Sequence, residues 1–162
     1  MVYNLALQYV QNSEDAQEIT QDVFVAVHQS WDNFKHDSTV NTWIHRITIN
    51  KSLDFLKSKK RKKRFSFLTS IFSHENNELK YDPPEFNHPG IQLEDKESLE
   101  FIFRQINKLP DNQKTALILH KIEQKTQAEV AEIMNLSVKS IESLIQRAKS
   151  NLSKNIAENE GS

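Results

Sequence analysis

The densest chemistry in this chain is cationic: residues 57–64, KSKKRKKR, hold seven lysines and arginines. Such a run grips phosphates by charge while polar and aromatic neighbours address bases. It is equally the composition of a solvated helix end or a nuclear-localisation-like tract. A second stretch, Thr126 to Lys149, TQAEVAEIMNLSVKSIESLIQRAK, offers chemistry of another kind. Its spacing gives two short helices joined by a tight turn, the outline of a helix-turn-helix that could bind duplex DNA, although an ordinary helical hairpin in a core has the same outline.

The elements that hold this second stretch are readable one by one. Ala128, Val130, Ala131, Ile133 and Met134 form the apolar positions of a first helix, and Val138, Ile141, Leu144, Ile145 and Ala148 recur at helical spacing in a second. Thr126 and Glu129 match a capping box, so the first helix starts near Thr126. Ala131 falls where the helices must approach closely. Asn135 falls where the turn needs a left-handed backbone, which Asn tolerates better than most residues. Leu136 is expected to plug the turn and Ser137 to cap the second helix.

Enzymatic chemistry finds no comparable support. His36, His45, His74, His88 and His120 share no metal-ligand spacing, and the chain has neither a Gly-rich phosphate loop nor a nucleophile motif. No cysteine is present, so disulfide and thiolate chemistry are excluded, which fits a reducing cytosol. No run of apolar residues is long enough for a membrane span, and the N-terminus lacks a signal pattern. The chain is expected to be cytoplasmic, without membrane insertion, metal, cofactor or catalytic residues.

The 162 residues, with two Gly and four Pro, carry long segments of helical periodicity and little strand-like alternation. An all-α protein of two small helical domains joined by a flexible linker follows. Met1 to Val10 reads as a helix, and Glu14 to Phe34 as another with Ala16, Ile19, Val23, Val27 and Trp31 as its buried stripe. Phe24 and His28 lie off that stripe. A third helix runs from about Thr39 to Lys60 with Trp43, Ile44, Ile47, Leu53 and Leu56 towards the core, while Thr42, His45, Arg46, Thr48, Asn50 and Lys51 decorate other faces. Residues 65–100 hold eight carboxylates against two lysines, and Pro83, Pro84, Pro89 and Gly90 interrupt any helix. The expected division is therefore 1–64, a linker at 65–93, and 94–156, with Phe65, Phe67, Leu68, Ile71 and Phe72 as unusual apolar residues for a linker.

As a set, these residues resemble a known family. DAQEITQDVFVAVHQSWDNF, followed by NTWIHRITINKSLDFLK and the basic run, is similar to region 2 of bacterial sigma-70 factors. LPDNQKTALILHKIEQKTQAEVAEIMNLSVKSIESLIQRAKSNL is similar to their region 4, and the two-domain layout resembles the extracytoplasmic-function (ECF) group. The resemblance implies a promoter-specific initiation factor without catalytic activity, whose partners are core RNA polymerase, promoter DNA and an anti-sigma factor. It implies contacts to the polymerase beta-prime clamp helices from Gln21, Asp22, Phe24, Val25, His28 and Trp31.

For the −10 element and its melting it implies Lys35, His36, Asp37, Ser38 and Thr39 in the loop, Asn50 as the base contact, and Trp43, His45 and Arg46 nearby. Lys59, Lys60, Arg61, Lys62, Lys63 and Arg64 become phosphate contacts. For the −35 element it implies Lys139, Ser140, Glu142, Ser143, Gln146 and Arg147, the outward polar positions of the second helix in the helix-turn-helix. Arg147 suits phosphate or guanine and Gln146 suits adenine, whereas Glu142 is an acid where many relatives carry a cation. Asn135 stands at the usual turn glycine, and the resemblance places Met1 inside the family's first helix.

Overall fold

A computed structural model describes residues 1–72 and 93–160, with side chains for 1–67 and 97–158. Among the described residues the regular elements are helices, as the periodicity requires. α1 (Val2–Val10) ends at Gln11, whose left-handed backbone (φ 50°) turns the chain sharply back. α2 (Ser13–Ser30) then starts on Asn12, whose side chain accepts the Asp15 backbone N–H at 2.9 Å. Glu14 and Asp15 occupy its first turn, where the helix dipole favours anions.

Ala16, Ile19 and Val23 of α2 are buried with Leu5, Ala6 and Tyr9 of α1. The expected stripe of α2 stops there. Val27 is only half-buried, and Trp31 is 51% exposed at the start of a 3-10 turn over Trp31–Asn33. After Val23 the packing of α2 thins: Val27 still touches the core but is covered only in part.

α3 (Val40–Phe72) is longer than the sequence leads one to expect, continuing through residues 65–72 where the linker was placed. Its 33 residues contain neither Gly nor Pro, and the first strong breaker is Pro83. The remaining linker expectation, including Pro83, Pro84, Pro89 and Gly90, lies outside the described residues. A second correction concerns the faces of α3. Thr42, His45 and Thr48 are buried rather than decorating the surface, because α3 packs against α1 and α2 on one side and α6 on another. The Thr48 and Ser52 hydroxyls survive burial by donating to the Ile44 and Thr48 carbonyls one turn back, each at 2.8 Å.

The second half comprises α4 (Leu93–Asn107), α5 (Asp111–Leu117), a π-helical turn over Ile118–Ile122, α6 (Gln127–Met134) and α7 (Val138–Glu160). Ile118, Leu119, Val130, Ile141 and Ala148 are fully enclosed at its centre. Each large aliphatic side chain so buried contributes about 1.5–3 kcal/mol. This core is continuous with that of the first half. The Tyr9 hydroxyl donates to Thr115 Oγ1 at 2.9 Å across the junction, and burial pushes the phenol well above its ordinary pKa.

Candidate nucleic-acid interface

The helix-turn-helix is built by local chemistry. Thr126 Oγ1 accepts the Glu129 backbone N–H at 3.2 Å, and Glu129 Oε2 accepts the Thr126 backbone N–H at 2.8 Å, which closes the capping box. The Thr126 backbone N–H, helped by its hydroxyl, holds the Glu129 carboxyl below its ordinary pKa. Asn135 adopts φ 53° and ψ 47°. Its N–H donates to the Glu132 carbonyl at 3.2 Å and the Leu136 N–H to the Ala131 carbonyl at 3.0 Å, a Schellman ending for α6. Ser137 Oγ accepts the Ser140 backbone N–H at 3.1 Å and so caps α7. Leu136 does not plug the turn. Val130, Ile133 and Ile141 are the buried residues here, and Leu136 remains 40% exposed.

On α7, Ile141, Ile145 and Ala148 form the buried stripe at spacings of four and three. Lys139, Glu142, Gln146 and Arg147 are therefore exposed on the other side, while Ser140 and Ser143 are half-buried. The serines are engaged locally: Ser143 Oγ donates to the Lys139 carbonyl at 3.1 Å, and Ser140 Oγ lies 2.8 Å from Ser137 Oγ. Glu142, Gln146 and Arg147 present their side chains to solvent, so this face of α7 is open.

The loop before α3 is ordered by aromatic contact. Phe34 and Trp43 stack with centroids 4.7 Å apart, Trp31 lies 6.0 Å from Trp43, and His36 lies 4.6 Å from Phe34. Sequence reasoning missed Phe34, which is 9% exposed and central to this cluster. The signal available was three aromatics, Trp31, Phe34 and Trp43, flanking one loop. Lys35, His36, Asp37 and Thr39 remain exposed and Ser38 half-buried. Thr39 Oγ1 accepts the Thr42 backbone N–H at 3.1 Å, capping α3.

Further along α3 the candidate residues divide. Asn50 is exposed and lies with Arg46 on a cleft of about 350 Å³. His45 is 1% exposed; its Nδ1 lies 2.8 Å from the Asn41 carbonyl and its Nε2 is buried without a partner among the described residues. The tautomer with hydrogen on Nδ1 fits this geometry, leaving Nε2 a bare acceptor. Arg46 donates from Nη2 to the Glu132 carbonyl at 2.8 Å and from Nε to the Ile133 carbonyl at 3.0 Å. Its charge thus sits at the negative C-terminal end of α6. Thr42 Oγ1 adds a bond to Glu132 Oε1 at 3.0 Å.

Two further surfaces complete the site. Lys60, Arg61, Lys62, Lys63 and Arg64 are exposed along α3, and Lys59 is half-buried in an ion pair with Asp15. On α2 Gln21, Asp22, Phe24, Val25 and His28, and just after it Trp31, are all exposed; Phe24 is 60% and Val25 54% accessible. Their spacing places these last-named apolar side chains on the part of α2 that faces away from α1. An exposed apolar patch with a polar surround is the usual form of a protein-binding surface. Among the described residues no helix is long and apolar enough to cross a membrane.

A helix-turn-helix with an open polar face, on a helical scaffold that also carries a long basic helix and an exposed aromatic patch, has the make-up of a DNA-binding helical protein. The Sigma-70 region 2 family matches residues 1–62 and the Sigma-70, region 4 family matches residues 102–152. The chain belongs to the sigma-70 family, as a member of its ECF group, and supports promoter-specific transcription initiation.

It is similar to the ECF RNA polymerase sigma-E factor of Escherichia coli, with 29% identity over 148 residues, covering 91% of this chain and 76% of that one. It is also similar to the RNA polymerase sigma-H factor of Pseudomonas aeruginosa, at 26% identity over 94% of this chain and 79% of the relative. The fold is shared with CnrH in complex with the cytosolic domain of CnrY (TM-score 0.63, 22% identity, 97% of this chain and 80% of that one). It is shared too with RpoE from Bartonella quintana in complex with the anti-sigma factor NepR (TM-score 0.57, 19% identity, 96% and 89%).

Proposed function

We propose that this chain directs core RNA polymerase to promoters by reading a −35 element with α7 and by capturing and opening a −10 element with α3 and the loop before it. The observation that carries the reading is the exposed polar face of Glu142, Gln146 and Arg147, unpaired among the described residues, beyond a correctly capped turn in a chain matched by both sigma regions. Arg147 contributes a phosphate or guanine contact and Gln146 an adenine contact, with Lys139, Ser140 and Ser143 around them; Glu142 accepts from cytosine or faces a gap.

Lys59 to Arg64 hold phosphates, Asn50 captures a base, and Lys35 to Thr39 with Trp43, His45 and Arg46 surround it. Unstacking a base costs a few kcal/mol, which hydrogen bonds and aromatic stacking offset. Gln21, Asp22, Phe24, Val25, His28 and Trp31 dock on the beta-prime clamp helices. The domain division is 1–64 and 94–156, and the chain works in the cytoplasm without a catalytic step of its own. The complex of RpoE with the anti-sigma factor NepR supports an anti-sigma partner for this chain as well.

With α6 packed on α3, His45 and Arg46 are covered, so the −10 function requires the α3–α6 contact to open. Run-off transcription with core polymerase over a genomic fragment library tests the reading: discrete transcripts are expected only when the chain is added. Equal initiation without it from every fragment would sink the proposal.

A further inference from the structure

The period that buries Ile141, Ile145 and Ala148 of α7 runs back through Val138, yet Val138 is 47% exposed. Leu136, on the other side of the Ser137 cap, is 40% exposed. Single exposed apolar side chains are ordinary. Here, of the three large apolar side chains that the second half exposes among the described residues, Ile102, Leu136 and Val138, two flank one capping serine.

The position is the one where sequence is read. In a helix-turn-helix, the N-terminal residues of the second helix contact base edges in the major groove, and Val138 is the first residue of α7. Residues four apart in a helix lie one above the other, so Val138 begins the exposed row that continues through Glu142 and Gln146. The row opens with a branched hydrocarbon and goes on with hydrogen-bonding groups. Lys139 and Arg147, both exposed, border it with positive charge, which suits DNA as the occupant.

The major-groove edges of the base pairs offer one apolar group, the C5-methyl of thymine; the rest are hydrogen-bond donors and acceptors. A valine pressed against a donor or acceptor strips away its water and returns no hydrogen bond, which lowers affinity. We propose that Val138 reads one thymine of the −35 element through its 5-methyl group, as the apolar specificity determinant of α7. Val138 has this role only if α7 lies in the −35 groove, so it rests on the promoter function proposed above and adds to it a base and the group by which that base is read.

The full chain with core polymerase is bound to a promoter recovered by run-off transcription, each thymine of the −35 element being replaced in turn by deoxyuridine, which lacks only the methyl. One replacement should weaken binding about fourfold, the value of one buried methyl group. With Val138→Ser the same replacement should change affinity by less than about 1.5-fold, the signature of a coupled pair. Ile102→Ser, on α4, should keep the full loss. The deoxyuridine scan of the unaltered chain needs no substitution, so it stands whatever Val138→Ser does to folding. Sequence-specific binding indifferent to every thymine methyl, a −35 element without thymine, or a methyl effect that survives Val138→Ser would overturn the proposal. A loss of affinity for core polymerase without DNA, as large in Val138→Ser as the loss on the promoter, would assign Val138 to a protein surface and overturn it too. These results leave the promoter function standing, whereas failure of the complex to bind the promoter at all would sink both.

Discussion

α7 and α3 carry the two candidate DNA surfaces, and they stand in opposite states. α7 buries one stripe, Ile141, Ile145 and Ala148, and leaves Glu142, Gln146 and Arg147 open to solvent. α3 is contacted on two sides, so His45 is enclosed and Arg46 is committed to two carbonyls of α6. The difference teaches that the face a helix offers to DNA is set by how many neighbours it has. One candidate surface is open to solvent; under the proposed function the other exchanges protein partners for DNA.

The largest effect expected concerns the part of α3 that is not covered. Replacing Lys59, Lys60, Arg61, Lys62, Lys63 and Arg64 with Gln should flatten the salt dependence of promoter binding by the polymerase complex, by about 0.9 in log–log slope for each phosphate no longer neutralised. Fluorescence anisotropy over a salt series measures it. An unchanged slope would leave the run as a solvated helix face. Next is Arg147→Ala on the open helix, which should weaken −35 binding by about 1–3 kcal/mol if Arg147 reads a base pair. Unchanged promoter affinity in the same assay would contradict that assignment.

Arg46→Ala attacks the contrast itself. Removing charge-assisted bonds to the Glu132 and Ile133 carbonyls should loosen the α3–α6 contact by roughly 1.5 kcal/mol, seen as faster amide hydrogen exchange around His45 and the last turn of α6. If exchange is unaltered, α3 is held closed by something else.

How much of this was legible in the sequence depends on the range of the interaction. Thr126 with Glu129, Asn135 and Ser137 were readable because caps and turns are decided by residues a few positions apart. The buried stripe of α7 was readable from its period. The burial of Thr42 was not, since it depends on α6, about ninety residues away in the chain, reaching the far side of α3. Trp31 failed for the converse reason: the period of α2 continues after its packing has thinned. Leu136 was assigned to a core position by its place in the turn, and the actual packing left it partly outside.

The smallest effect sharpens the readable side of the comparison. Thr126→Ala removes the α6 cap and should cost about 1 kcal/mol, read as a lower Tm. Glu129 adds a pH signature. Its folded-state pKa is depressed by the Thr126 backbone and side-chain bonds, so its contribution is present above the unfolded carboxylate pKa and is lost as pH falls through the folded value. Thr126→Ala removes the hydroxyl and keeps the backbone N–H, so the acid-side decline in Tm should be slightly shallower, and an identical pH profile would show that the hydroxyl does not govern Glu129.

The central claim is that one chain positions polymerase with α7 and opens DNA with α3. Permanganate footprinting of a promoter recovered by run-off transcription tests it most directly. With core polymerase and this chain, −10 thymines should become reactive, and Asn50→Ala should abolish that reactivity while leaving protection of the −35 element in place. Full reactivity in Asn50→Ala, or none with the unaltered chain on a transcribed promoter, would contradict the account.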